Sequence, residues 1–83
     1  MANLFTGKIL ANDYTELFDL AELEPTTDTK YKIQVLGDLC WLREGSTGKG
    51  FLIEGGNIVQ FQQGEDDLFI KTNPDGIVVN IAD

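Results

Sequence analysis

The chain predicts an all-β domain, a small antiparallel β-sandwich or partly open barrel. Three observations carry this. Short runs of β-forming residues recur about every 8–10 residues from residue 30 onward. Each run ends in turn chemistry supplied by Gly, Asn, Asp or Pro. The 83 residues, 42% hydrophobic and 24% charged, suit one domain (1–83) with a single thin core rather than two domains or a set of βαβ units.

The elements follow in order. Residues 3–10 read as a strand with Phe5 and Ile9 on one side. Segment 13–24 has two readings. Tyr14, Leu17, Phe18 and Ala21 stand at helical spacing, Asp13 and Glu16 at capping-box spacing, and Pro25 where a helix would stop. Alternatively Phe18 and Leu20 face inward on a short strand, with 26–29 as its turn. Local pattern favours one short helix. Tyr31, Ile33 and Val35 then alternate with Lys30, Lys32 and Gln34, the signature of a half-buried strand. Gly37 and Asp38 break it as a bulge or tight turn. Leu39-Cys40-Trp41-Leu42 is apolar on both faces, so it is central to a sandwich or covered by another chain.

Residues 44–50, with three glycines and no apolar side chain, form a loop. Phe51-Leu52-Ile53 comes next and ends at Glu54-Gly55-Gly56-Asn57, where glycine can supply the positive φ of a hairpin turn. Ile58-Val59-Gln60-Phe61 and Leu68-Phe69-Ile70-Lys71 are the next strands, separated by residues 62–67. Asn73-Pro74-Asp75-Gly76 fits a type I turn, and Ile77, Val79 and Ile81 share one face of the last strand. Alternation assigns Tyr31, Ile33, Val35, Trp41, Phe51, Ile53, Phe61, Phe69, Val79 and Ile81 to the core.

Six Lys+Arg against fourteen Asp+Glu give a net charge of −8. The termini-proximal thirds are acidic, whereas residues 30–50 carry four bases and two acids. Such a chain is repelled by nucleic-acid phosphates and by anionic lipid, so neither is an expected partner. No apolar run approaches a membrane span, and MANLFTGKIL lacks the basic stretch and long apolar core of a signal peptide.

Chemistry is poorly supplied. One cysteine and no histidine give neither an internal disulfide nor an ordinary zinc set. Cys40 has no histidine base, so it reads as a buried structural thiol. Gly45-Ser46-Thr47-Gly48-Lys49-Gly50 lacks both the phosphate-loop spacing and the hydroxyl after its lysine. Residues 73–76 match a calcium loop only in part, because Lys71 stands where the first acidic ligand belongs. Glu65-Asp66-Asp67 reads as a solvated tip. No catalytic residue, cofactor or metal is expected, and the chain reads as a non-enzyme.

From Tyr31 onward the order of features resembles small bacteriophage virion proteins. Tyr31-Lys32-Ile33-Gln34-Val35, a Gly-Asp break and Leu39-Cys40-Trp41-Leu42-Arg43-Glu44-Gly45 match their opening pattern. A glycine-rich loop, then Gly50-Phe51-Leu52-Ile53-Glu54-Gly55-Gly56, Leu68-Phe69-Ile70-Lys71, a turn and a short last strand match the rest of that pattern. The resemblance spans about fifty residues and carries no catalytic group. It implies a compact β-domain built into a phage particle as a capsid decoration or tail component, made in the host cytoplasm and located in the virion.

Its expected partners are copies of itself and a capsid or tail protein. The trimer expected for the self-assembly rests on the phage analogy alone. Residues 1–10 are expected to serve as an arm, and Leu4, Phe5, Trp41, Leu42 and Val78 as interface. The alternative function is a small acidic phage-encoded inhibitor that binds a basic groove of a host protein. A carbohydrate-binding module is less well served, because one Trp and two Tyr make a poor stacking platform.

Overall fold

The computed structural model describes residues 3–45 and 50–83. The elements are β1 (Asn3–Ile9), β2 (Thr15–Glu16), α1 (Leu17–Leu20), β3 (Lys30–Leu36), β4 (Leu39–Glu44), β5 (Phe51–Glu54), β6 (Ile58–Gln62), β7 (Leu68–Thr72) and β8 (Ile77–Ala82). They form two four-stranded antiparallel sheets. Sheet A has the order β1-β8-β3-β6 and sheet B the order β2-β7-β4-β5. The expected all-β sandwich is therefore the fold. Most of the loop expected at 44–50 lies outside the described residues.

The order has a simple origin. β1 pairs with β8, β2 with β7, β3 with β6 and β4 with β5, which describes one long two-stranded ribbon closed between β4 and β5. Rolling that ribbon up brings β3 against β8 and β4 against β7. This is an eight-stranded jelly roll.

The core fills the space between the sheets. Ile33, Val35, Val79 and Ile81 from sheet A meet Cys40, Leu42 and Ile70 from sheet B, all fully or almost fully buried. Phe18, Tyr31 and Phe61 close one end, with ring centroids 4.9 Å apart for Phe18–Tyr31 and 6.1 Å for Phe18–Phe61. The Tyr31 hydroxyl sits at the edge of this cluster and accepts the Thr26 amide at 2.8 Å, which satisfies its polar end.

Segment 13–24 follows its helical reading at Leu17–Leu20, and Leu20, which the strand alternative turned inward, is exposed. Thr15 and Glu16 pair with Ile70 and Phe69, and a single helical turn follows. Leu17, Phe18 and Ala21 are buried from it, as helical spacing required. The capping box does not form, because the helix starts at Leu17 and the Asp13 carboxylate accepts the Tyr14 amide instead. Residues 3–9, expected within an arm, are a strand of sheet A paired with β8 along its length.

Three short connections turn corners between the sheets at one end, which we term the corner end: Gly37-Asp38, Gly55-Gly56-Asn57 and Asn73-Pro74-Asp75-Gly76. The second, expected to close a hairpin, instead carries the chain from sheet B to sheet A. The Gly55 and Gly56 amides donate to the Asp38 and Val35 carbonyls at 2.6 Å each. The turn at 73–76 forms as expected, with the Gly76 amide on the Asn73 carbonyl at 3.0 Å and a positive φ at Gly76. The opposite, far end carries segment 17–29 and the loop 63–67. No helix among the described residues is long and apolar enough to cross a membrane.

Candidate interaction surface

Strand parity decides which side chains each layer exposes. On β4, Cys40 and Leu42 point inward, so Leu39, Trp41 and Arg43 line the outer face of sheet B. On β7, Leu68 and Ile70 point inward and Phe69 and Lys71 outward. This overturns the core assignment of Trp41 and Phe69, both of which are half-buried. Their rings are capped by cations. The Arg43 guanidinium lies 4.1 Å from the Tyr14 ring centroid and 5.6 Å from that of Phe69, and the Lys71 ammonium lies 5.8 Å from that of Trp41. Arg43 is also held by the Gly45 carbonyl at 3.2 Å. Gly50 packs beside this group, and a methyl there would displace the Tyr14 hydroxyl.

The outer face of sheet A differs in character. None of its four strands contains an acid, and Lys8, Lys30 and Lys32 lie on them. Thr6, Gln34, Gln60, Gln62 and Asn80 share the remainder with apolar Leu36, Ile58, Val78 and Ala82, and the Thr6 hydroxyl donates to the Asn80 side-chain oxygen at 2.9 Å. The acids gather mainly at the far end, in segment 17–29 and in residues 65–67. There Gln63 is buried and ties the loops together: its amide donates to Thr29, its carbonyl accepts from Asp28, and its side chain donates to Asp67.

Glu16 belongs to that acidic end. A hydrogen bond with Asp19 holds its proton, and desolvation and the charges of Asp19 and Asp67 add to this, so its pKa lies above the ordinary 4.5. Because the folded value exceeds the unfolded one, the unfavourable contribution appears as pH rises from 4.5 through the raised value, and it is absent below 4.5. Glu16→Gln is therefore expected to raise Tm at neutral pH and to leave it unchanged in acid, which paired thermal melts at the two pH values will read.

The margin formed by β5 and β6 is the most exposed apolar region. Phe51 is 66% exposed, Leu52 53% and Ile58 60%. The three point in different directions. Leu52, paired with Trp41, stands on the outer face of sheet B, and Ile58, paired with Gln34, stands on the outer face of sheet A. Phe51, on the same side of β5 as the half-buried Ile53, lies at the opening between the sheets, which corrects its placement in the core. Beside it the two margins part into a cleft of about 270 Å³, lined by apolar Leu42, Phe51, Val59, Phe61 and Leu68, with Arg43, Glu44 and Gln60 at its polar positions.

The five residues expected at an interface do not come together. Leu4 sits at a register shift on edge strand β1, and Val78 is exposed on the outer face of sheet A beside Lys8 and Leu36. Phe5 packs against the core, its ring lying over Gly7, where a side chain would collide with it. Leu42 is buried at 2% exposure and is a core residue. Only Trp41 borders the exposed margin, next to Leu52. The cleft had no signal in the sequence. Phe51, Leu52 and Ile58 did carry one, since each lies in an apolar run beside a glycine turn.

Cys40 is fully buried, and desolvation pushes its thiol up to about 11. The thiol is expected to stay silent toward Ellman's reagent in native protein at neutral pH and to react fully in denaturant.

Compared with known protein families, curated proteins and solved structures, the chain has no significant match.

Proposed function

We propose that the chain is a non-catalytic assembly domain of a bacteriophage particle, a capsid decoration or tail component, acting through protein–protein contacts. The observation that carries the contact part of this reading is the β5–β6 margin. Monomeric proteins seldom leave three large apolar side chains exposed on two unprotected strand edges at one margin, because such edges recruit other chains. The other two edges are blunted, β1 by its register shift at residues 3–5 and β2 by a length of two residues. The particle part of the reading draws on the resemblance of about fifty residues from Tyr31 onward and on the jelly roll itself, an architecture used by viral capsid domains but also by lectins and cupins. Its partners on this reading are further copies and a capsid or tail protein.

A second reading, an acidic inhibitor of a host protein, draws on the concentration of acids at the far end, which would suit a basic groove. Mass spectrometry of purified particles from a producing culture separates the two. Recovery at a fixed stoichiometry with the major capsid or tail protein supports the assembly role. Absence from particles, together with capture of a basic host protein in a salt-sensitive complex, supports the inhibitor.

A further inference from the structure

The geometry points to a closed twofold dimer in which β5 and β6 of one copy lie edge to edge against β5 and β6 of a second. This deepens the assembly reading above and rests on it for the purpose of the contact, though not for its geometry.

The three exposed side chains come first. A contact made by stacking sheet faces would need apolar residues gathered on one outer face. Here Leu52 is on one outer face, Ile58 is on the other, and Phe51 lies between them. They coincide only when the sandwich is viewed from its side. An occupant must therefore span the full thickness of both sheets. A single added peptide strand would cover one sheet edge and leave Leu52 or Ile58 wet. The edge of a second sandwich covers all three.

That occupant is present in the chain itself. Rotation about a twofold axis normal to the sheets sets a strand antiparallel to its own copy. The same axis serves both layers, bringing β5 to β5 and β6 to β6 and continuing each four-stranded sheet into eight. The unpaired N–H and C=O groups of both edges find partners at once, and the clefts beside Phe51 are shut from water by the same contact.

Charge does not oppose this margin, although it does not single it out from the acid-free face of sheet A. Two copies of a −8 chain approach most easily where acids are sparse, and β5 and β6 hold only Glu54 between them. With β1 and β2 blunted, the contact closes at two copies and does not propagate. On this geometry the self-assembled unit is a dimer, in place of the trimer expected by analogy.

Sedimentation velocity of the full chain across a micromolar range tests this, with L52K/I58K as the edge variant and V78K as a control on the sheet A face. All three positions are exposed, so the variants should fold, and circular dichroism verifies this. The parent is expected to dimerise, V78K to match it, and L52K/I58K to weaken the dimer roughly a hundredfold or more. Hydrogen exchange should show amides of β5 and β6 gaining protection as the dimer forms. A parent that stays monomeric at high micromolar concentration, a trimer, an edge variant that associates like the parent, or β5 and β6 amides that gain no protection would each overturn the proposal. Particle mass spectrometry reports separately: a dimer absent from particles removes the particle reading alone, and a monomer found in them removes the edge pairing alone.

Discussion

Phe61→Ala is expected to cost about 3–5 kcal/mol, a large fraction of the stability of about 4–12 kcal/mol for a domain of this size. The ring is almost fully buried, tilted against Phe18, and reaches from β6 toward the wall of the open cleft. Removing it enlarges a space that already opens to solvent beside the aromatic cluster. Phe69→Ala provides the contrast. Its ring lies half-buried on the outer face of sheet B and contacts the Arg43 guanidinium, so its loss should cost only about 1–2 kcal/mol. Urea titrations followed by Trp41 fluorescence would measure both. Equal midpoints for the two variants would mean that the strand parity described for β6 or β7 is wrong.

Gly55→Ala is the second large effect. Two corner connections cross at this point, and a methyl on Gly55 would overlap the Gly37 carbonyl oxygen, with the Asp38 carbonyl close behind. Both obstacles are backbone, so no rotamer change relieves them. The corner must open, breaking the Gly55–Asp38 hydrogen bond, and the expected cost is about 3 kcal/mol or more. Gly37→Ala isolates the conformational part. Its φ is 107°, but nothing lies within reach of an added methyl, so only backbone strain of about 1–3 kcal/mol applies. A Gly55→Ala protein as stable as Gly37→Ala would show that the crossing is looser than described.

These two sites also mark where the sequence is legible and where it is not. The strands from residue 30 onward are readable nearly to their ends, because alternation and turn residues are local signals. Alternation places Tyr31, Ile33, Val35, Phe61, Val79 and Ile81 correctly in the core, since their neighbours are mostly polar. The errors fall on β4, β5 and β7, where both faces carry apolar side chains. On β5 Phe51 has the inward phase but lies at the open margin, whereas on β4 and β7 the larger residue reads as the inner one, giving Trp41 and Phe69. Yet Cys40, Leu42, Leu68 and Ile70 face inward, because the corners set the phase of each strand and the corners form through distant contacts. Gly55 looks like half of a hairpin for the same reason. What forbids a side chain there is Gly37, eighteen residues earlier in the chain. The exposed margin is hidden likewise, since which strands end a sheet is a property of pairing order, and the order β1-β8-β3-β6 is written in no local segment.

The last strand of the chain lies inside sheet A, between β1 and β3, with Asn3 opposite Ala82. During synthesis, β1 and β3 therefore wait, unpaired with each other, until residues 77–82 arrive to join them. Folding cannot proceed as a sequence of finished hairpins laid down from the N-terminus. It must await residues 77–82, and with so many pairings between distant residues it should be slow, in the millisecond-to-second range of high-contact-order β proteins. Loss of β8 would split sheet A through its middle and leave β1 with no strand to pair with.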